Sequence, residues 1–340
     1  MGMIGRVAVG LCLSASAAPG EAGQSFDKSF RLEHLAPYAG RGFEWENNRI
    51  GISDKAPPPW EAVKVDDGSV TLTHRHLKLG PRQGGALIEQ ITCHGQPLLA
   101  RGVTILLTDG GGAAHPLTVD PAPVSATGAG VVFRGTTRLP EGKAALECRI
   151  EFDGFIYFGL DLEPEAGGTI AVDDLRVTAE LRRAAASHYK YLIPYDFTNE
   201  RLEEEGGRPP STGPLEKEMR LPFSPMLWIG TPRLGLEWVC ETDHGWNLRD
   251  AADAVQIRPE ADRVIWINQL INRPTAIDKA AYYAFAFNLL PTRPSPSPAW
   301  NADAILVNSD PILDFRDALA PWHTFYGVHR NTSPTPGHPK

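Results

Sequence analysis

The stretch PMLWIGTPRLGLEWVCETDHGW, residues 225–246, holds three of the eight tryptophans of the chain. Two short apolar segments, MLWIG and GLEWV, lie on either side of a turn sequence that contains proline and glycine. Apolar segments of this length around such a turn are typical of paired β-strands. The pattern therefore predicts that Trp228 and Trp238 are buried in a core between two sheets, where large aromatic side chains supply much of the buried area.

Strand patterns extend from this stretch toward both ends of the chain. The segment SVTLTHRHLKL, residues 69–79, alternates like one strand, and ALIEQITCHGQPLLA, residues 86–100, reads as two short strands around Gly95. Turn signals recur every ~8–12 residues, a spacing typical of sandwiches and barrels, whereas helical periodicity is rare before residue 300. The fold class is therefore predicted to be all-β, a large antiparallel β-sandwich of the supersandwich kind over about residues 60–292.

Composition and charge exclude several classes of partner. The chain has 340 residues and a formal net charge of −8, so it offers no basic field that would attract a nucleic acid. No run approaches the ~18 apolar residues of a membrane-spanning helix. Outside the N-terminal leader, the cysteines are Cys93, Cys148 and Cys240, without a C-x-x-C spacing. We expect at most one disulfide among them and no zinc site.

Three segments stand apart from the strand pattern. Residues 1–23 resemble a signal peptide, with Arg6 before a short apolar run and small residues at 15–17, which predicts a secreted or periplasmic protein. A misassigned start or a disordered leader is the alternative. Residues 198–220 are polar and rich in proline and glycine, which predicts a long exposed loop. Residues 295–340 form a proline-rich linker and tail, with one short helix around residues 310–319.

Several blocks of the chain resemble a known family when they are taken in order. GISDKAPPPW, IEQITCHGQPLLA, FDGFIYFGLDLEP, FSPMLWIGTPRLGLEWVCETDHGW and VIWINQLINRPTAIDKAAYYAFAFNLLPTRP are similar to successive blocks of the N-terminal domain of glycoside hydrolase family 123. The resemblance covers roughly residues 28–294, and it is carried by the order and spacing of loose motifs. It implies that residues 24–294 form a β-sandwich module of the kind that precedes a catalytic (β/α)₈ barrel.

The barrel is the part of the family pattern from which this sequence departs. In the family, the barrel cleaves β-linked N-acetylgalactosamine with an adjacent Asp-Glu pair and the acetamide of the substrate as nucleophile. A barrel needs ~250 residues, whereas 46 residues follow Pro294 (340 minus 294). We therefore expect the catalytic barrel to be absent, with residues 295–340 as a remnant of its start. No catalytic residue is assigned, and the chain is not expected to be an enzyme by itself.

The end of the opening stretch carries the candidate ligand-binding residues. Trp246 follows a polar segment of the sequence, and an exposed indole offers an apolar face to a sugar ring. The neighbouring polar side chains can orient sugar hydroxyls by hydrogen bonding; they are Glu241, Asp243, His244 and Asn247. An indole that merely anchors its loop is the alternative interpretation of Trp246.

Two other motifs favour structural interpretations. His74 and His76 would share one face of a strand, as metal ligands could, but no third ligand follows from the sequence. Gly110–Gly112 lacks the strand and helix that surround a phosphate-binding loop, and it is interpreted as a turn. The sequence therefore predicts neither a metal site nor a cofactor.

Three functional hypotheses remain open at this point. The first is a non-catalytic module of a carbohydrate-active protein, which binds glycan or supports a separately encoded glycoside hydrolase barrel. The second is a truncated β-N-acetylgalactosaminidase-like hydrolase. The third is a free-standing enzyme with its site on the sandwich. The expected partners are a carbohydrate or a hydrolase barrel.

Overall fold

A computed structural model describes residues 53–81, 85–192 and 212–290 of the chain. The predicted leader and the predicted linker and tail lie outside the described residues. The first eleven strands, in chain order, are β1 (Lys64–Asp66), β2 (Ser69–Leu72), β3 (Arg75–Leu79), β4 (Ile88–Cys93), β5 (Gln96–Pro97), β6 (Leu99–Asp109), β7 (Ala114–Pro116), β8 (Ser125–Ala126), β9 (Gly130–Leu139), β10 (Gly142–Glu151) and β11 (Phe155–Pro164). The others are β12 (Ile170–Arg182), β13 (His188–Tyr191), β14 (Thr212–Pro214), β15 (Met219–Leu221), β16 (Met226–Thr231), β17 (Leu234–Val239), β18 (Val255–Pro259), β19 (Arg263–Ile271), β20 (Thr275–Ile277) and β21 (Ala281–Leu290).

These strands form two large antiparallel sheets, which confirms the predicted all-β sandwich. The twelve-stranded sheet has the order β1-β2-β3-β4-β6-β12-β19-β18-β15, and β5, β7 and β20 pair at its sides. The nine-stranded sheet has the order β14-β13-β16-β17-β21-β11-β10-β9-β8. The described residues contain two short 3-10 turns, at Arg183–Ala185 and Ala251–Asp253, and no α-helix.

The core lies between the two sheets. Trp238 of the nine-stranded sheet is fully buried and stacks on Phe285, with ring centroids 5.0 Å apart. Phe287 lies beside both and meets Trp266 of the twelve-stranded sheet edge-on at 5.8 Å. Contacts of this kind are favoured by the quadrupoles of aromatic rings. The predicted core position of Trp238 is therefore confirmed.

The predicted single strand over residues 69–79 is wrong, because the structure contains a hairpin there. Strands β2 and β3 pair with each other, so that Val70 lies opposite Leu77. His74 occupies the turn with a φ of 60°, in the left-handed region that turns require. The buried apolar residues are at even positions up to Leu72 and at odd positions from Leu77 onward. A single strand would place these two sets on opposite faces, so a turn must lie between them.

The predicted loop over residues 198–220 is also wrong in its described part. Residues 212–220 contain β14 and the start of β15, which extend one edge of each sheet. All three residues of β15 pair with β18; Met219 and Leu221 are buried, whereas Arg220 between them is exposed. This alternation is typical of a half-buried strand, but a strand of three residues is too short to be recognised within a polar segment of the sequence.

The predicted turn at Gly110–Gly112 is confirmed. Asp109 accepts backbone hydrogen bonds from Gly111 and Ala113 at 2.9 and 3.0 Å. Its other carboxylate oxygen lies 2.7 Å from Nε2 of His115. The carboxylate of Asp109 therefore fixes the connection from β6 to β7.

Candidate functional site

The polar and aromatic side chains that could contact a ligand converge on the outer face of the nine-stranded sheet. Alternation along each strand sends one set of side chains into the core and the other set to this outer face. On β11, Ile156, Phe158 and Leu160 are buried in the core, so Tyr157, Gly159 and Asp161 belong to the outer face. The register extends this face onto β10 and β21, where Arg149 lies opposite Tyr157 and Tyr282 lies opposite Asp161.

A pair of tyrosines occupies one end of the outer face, and we call Tyr157, Gly159 and Tyr282 the tyrosine platform. The phenol oxygens of Tyr157 and Tyr282 are in hydrogen-bonding contact. A Cβ atom at Gly159 would lie 2.7 Å from the Tyr282 hydroxyl, so glycine leaves the space through which the Tyr282 side chain reaches Tyr157. Tyr282 is 53% exposed, and Val124 is the other strongly exposed large apolar side chain among the described residues.

Charged groups surround the tyrosine platform. The Arg149 guanidinium lies 5.6 Å from the centroid of the Tyr157 ring, a distance at which a cation attracts the ring face. Glu147 accepts hydrogen bonds from Arg134 at 2.8 Å and from Arg149 at 3.1 Å. Partial burial alone would raise the pKa of Glu147, but these hydrogen bonds outweigh it and hold the pKa below its usual range. Glu147 is therefore an ionised acceptor.

The pKa values of Asp161 and Tyr282 are shifted upward, in the direction opposite to that of Glu147. Desolvation, and then the nearby carboxylates of Glu163 and Glu147, raise the pKa of Asp161. Desolvation and the hydrogen bond with Tyr157 raise the pKa of Tyr282. The phenol therefore stays protonated and can donate a hydrogen bond over the whole physiological pH range.

A row of polar side chains crosses the other end of the outer face, and we call Lys190, Trp228, Glu237 and Asn288 the polar row. The strand register places these four residues side by side on β13, β16, β17 and β21. Glu237 is fully buried and Asn288 is 2% exposed. The Asn288 amide nitrogen donates to a carboxylate oxygen of Glu237 at 3.2 Å. A carboxylate held this deep is unusual, because burial of a charge is costly without compensating partners.

Lys190 supplies part of the electrostatic compensation within the polar row. Desolvation lowers the pKa of Lys190, and the Coulombic attraction of Glu237 acts against that shift. Lys190, Trp228 and Glu237 each have interaction partners besides the contacts named here. The row therefore combines an ammonium group, a carboxylate, an amide and an indole within one line across four strands.

The position of Trp228 corrects the prediction that it fills the core between the sheets. Trp228 is buried, with 5% exposure, but Leu227 and Ile229 on either side of it belong to the inter-sheet core. The indole instead lies over Gly230 and Gly235 on the outer face, where Cβ atoms would be 2.5 Å and 2.0 Å from it. All five residues of MLWIG are apolar or glycine, so the alternation that separates the two faces is invisible in this segment.

The predicted ligand-binding loop runs from the end of β17 toward the twelve-stranded sheet. Trp246 is partly buried, packs against the core and meets Phe223 edge-on with ring centroids 5.3 Å apart. Asn247 donates its side-chain amide to the Thr275 hydroxyl at 2.9 Å, and its backbone bridges to Ile271 of β19. These two predicted residues hold the loop to the sandwich, and their part in ligand binding stays a prediction.

The other three predicted residues, Glu241, Asp243 and His244, are exposed. The Tyr283 hydroxyl donates to the backbone carbonyl of Gly245 at 3.2 Å, so the loop adjoins the strand end that carries Tyr282. Tyr283 faces the core and Tyr282 the outer face, so this contact places the loop near the end of β21 but not on the tyrosine platform. Their direct contact with a ligand remains a prediction.

Sequence reasoning missed the tyrosine platform and the polar row. The two tyrosines are 125 residues apart in the chain, so only the pairing of β11 with β21 reveals that they are neighbours. For the polar row one local signal existed. Glu237 alternates with the apolar Leu236 and Trp238, which predicts a carboxylate on the face opposite to the core.

The histidines and cysteines in the described part of the chain show no metal-binding arrangement. The imidazoles of His74 and His94 stack at 4.8 Å in adjacent turns, while His76 lies on β3. Within residues 53–81, 85–192 and 212–290, no three His, Cys, Asp or Glu side chains are grouped to hold a metal ion. Cys93, Cys148 and Cys240 are buried as free thiols. The described residues also contain no helix of the length and apolarity required to cross a membrane.

Comparisons with known proteins give no family assignment. No family model matches the chain, and no curated protein matches it. The resemblance to glycoside hydrolase family 123 therefore stays a prediction.

Several solved structures resemble the fold of this chain weakly. A protein assigned as an aldose 1-epimerase from Escherichia coli K12 has a TM-score of 0.42 and 9% identity, over 67% of this chain and 98% of its own. An alpha-N-acetylgalactosaminidase from Bifidobacterium bifidum has a TM-score of 0.41 and 14% identity, over 65% of this chain and 36% of its own. A copper-containing benzylamine oxidase from Hansenula polymorpha has a TM-score of 0.40 and 8% identity. The match covers 68% of this chain and 61% of the oxidase chain. At these values, none of the three indicates what this chain binds.

Proposed function

We propose that the chain is a non-catalytic β-sandwich module of a carbohydrate-active protein, and that it binds glycan on the outer face of the nine-stranded sheet. The observation that carries the proposal is the tyrosine platform, in which the exposed ring of Tyr282 is fixed by contact with the part-buried Tyr157.

The platform has the chemistry that a sugar ring needs. A pyranose presents apolar C–H groups on its faces and hydroxyl groups around its edge. Tyrosine rings offer apolar area at a low cost in conformational entropy, and their hydroxyls donate and accept hydrogen bonds. The contact between the two phenols fixes both rings before a ligand arrives. Such preorganisation reduces the entropy lost on binding.

The charged groups around the platform supply the polar contacts of the proposed site. Arg149 offers donors, Glu147 offers an ionised acceptor, and Asp161 lies directly opposite Tyr282. Carboxylate and guanidinium groups at the rim of an aromatic surface orient hydroxyl groups and provide specificity.

The Tyr282→Ala variant is expected to bind glycan at least about tenfold more weakly than the wild type. The substitution removes an exposed ring and its contact with Tyr157, and a loss of about 1.4 kcal/mol corresponds to tenfold in the dissociation constant. A glycan array identifies the ligand, and isothermal titration calorimetry then measures the affinity. Tyr282→Phe, which keeps the ring and removes only the hydroxyl, is expected to show a smaller loss.

Val124→Ala is the matched control, because Val124 is 56% exposed and precedes the edge strand β8, away from β21. Its affinity is expected to equal that of the wild type. Wild-type affinity in Tyr282→Ala, or an equal loss in both variants, would show that the platform is not the binding site.

The chain is expected to show no turnover of aryl β-N-acetylgalactosaminides. Glycoside hydrolysis requires a protonated carboxyl that can donate to the leaving oxygen, and a second group on the other side of the bond. At the platform, Asp161 has a raised pKa, whereas Glu147 is bound by two arginines and its pKa is lowered. Both lie on one face of the sheet, so they do not stand on opposite sides of a bound sugar as the reaction requires. Release of 4-nitrophenol is the measurement. Turnover that is abolished by Asp243→Asn would establish a catalytic site on the sandwich and refute a non-catalytic module.

A further inference from the structure

We infer that the part of the outer face that carries the polar row is the docking surface for the C-terminal segment of this chain, residues 291–340. Within that segment, the contact is made by an amphipathic helix around residues 310–319. The inference goes beyond the proposed function, because it concerns a contact within the chain and involves no sugar.

The first observation is that one part of the outer face is exposed while the part beside it is buried. Tyr282 is 53% exposed, as expected for the solvent side of an antiparallel sheet. Five outer-face residues next to the platform are at most 5% exposed, and we call them the covered patch: Trp228, Glu237, Ala286, Asn288 and Leu290. The apolar members of the covered patch do not belong to the core between the sheets. Another part of the protein must therefore lie over them.

The second observation is that the described strands and 3-10 turns do not supply this cover. Every described strand belongs to one of the two sheets, and the twelve-stranded sheet packs against the core face. The turns Arg183–Ala185 and Ala251–Asp253 lie against β19 and β15 of the twelve-stranded sheet. The cover of the patch therefore comes from outside these elements.

The third observation is the point at which the chain leaves the sheet. Leu290 is the last residue of β21 and pairs with Gly235 of β17. The Trp228 indole lies over Gly235, so residue 291 follows directly beside the indole. Fifty residues come after this point (340 minus 290), enough to return over the face. Residues 193–211 also adjoin the sheet, but they are rich in glutamate, proline and glycine and lack an apolar face.

The fourth observation is the amphipathic pattern of residues 310–319. Asp310 suits the N-cap of a helix and Pro311 suits its first position. Helical spacing places an apolar set and an acidic set on opposite faces; they are Ile312, Phe315 and Leu319, and Asp310, Asp314 and Asp317. A helix of this length is marginal in water unless its apolar face is buried. Trp228 and Leu290 provide an apolar surface on which that face can be buried.

The docked segment borders the tyrosine platform. Ala286 of the covered patch lies directly opposite Tyr157 in the register of β11 and β21. The exposed part of the outer face therefore ends at Tyr157, and residues 291–340 form the boundary of the platform on that side.

The test measures whether solvent reaches Trp228 in the full chain. A soluble gadolinium chelate broadens the NMR signals of exposed protons, and Trp228→Phe assigns the signals of the Trp228 indole. We expect the Trp228 signals of the wild type to resist the chelate, as those of the core residue Trp238 do. Phe315→Asn places an amide on the apolar helix face. It is expected to release the segment, so that the chelate removes the Trp228 signals.

Asp314→Asn is the matched control, because it places the same amide on the opposite face of the helix, and it is expected to keep the wild-type protection. A chain that ends at Leu290 is the second variant, and it is expected to lose the Trp228 signals as Phe315→Asn does. The inference is overturned if Trp228 stays protected in Phe315→Asn or in the folded shorter chain, since another segment would then cover the patch. Equal loss of protection in both asparagine variants would refute the assigned helix face. These measurements contain no sugar, so the proposed function is tested separately by Tyr282→Ala.

Discussion

Replacing Trp238 by alanine is expected to lower the free energy of unfolding by about 3 to 5 kcal/mol. The indole is fully buried between the sheets, where it stacks on Phe285 at 5.0 Å and meets Phe287 at 5.6 Å. Phe287 in turn contacts Trp266 of the opposite sheet. The substitution removes buried apolar area and leaves a cavity at the contact that joins the two sheets, and rigid neighbours fill such a cavity only partly.

Guanidinium denaturation of both Trp238→Ala and Tyr282→Ala separates stability from binding. Tyr282 is 53% exposed, so its truncation is expected to change the free energy of unfolding by no more than about 0.5 kcal/mol. The two variants should thus show opposite results, with stability lost in one and glycan affinity lost in the other. A denaturation midpoint of Trp238→Ala equal to that of the wild type would be incompatible with the core described above.

The fold was largely predictable because it depends on local alternation. Segments such as FIYFGLDL place apolar residues at every second position, and the structure buries those positions in β11. The prediction failed where the local pattern is ambiguous. The hairpin of β2 and β3 was missed because polar residues separate Leu72 from Leu77, so the change of parity is not visible at any single position. In MLWIG an uninterrupted apolar run hides which face Trp228 occupies.

The candidate site was less predictable than the fold because it depends on long-range register. Tyr157 and Tyr282 become neighbours only through the pairing of β11 with β21, and a one-residue slip would send one ring into the core. The polar row needs the correct registers of four strands at once. Residues 241–247, by contrast, are contiguous, so sequence reasoning can propose a site there but cannot compare it with sites formed by distant strands.

The second large effect is expected for a substitution at Gly135 of β9, where the chain segment that passes from one sheet to the other lies against this strand. After β7, the backbone amide of Leu117 bonds to Ile105 of the twelve-stranded sheet, and the amide of Asp120 bonds to Arg134 of the nine-stranded sheet. The segment between them passes directly over Gly135. A Cβ atom at Gly135 would lie 1.9 Å from the backbone oxygen of Thr118 and 2.7 Å from the Cα atom of Val119.

Gly135→Ala is therefore expected to lower the free energy of unfolding by about 1 to 3 kcal/mol or more, although alanine is ordinarily compatible with a strand. The obstacle is backbone that is hydrogen-bonded to both sheets, so it cannot rotate away as a side-chain end could. Gly213→Ala on β14 is the control, because the nearest atom to its Cβ would be the Tyr189 hydroxyl at 3.5 Å. Chemical denaturation should show loss only in Gly135→Ala. Equal midpoints for the two variants would mean that the crossing segment can move away from β9, and the close contact between the sheets at this point would then not be required for the fold.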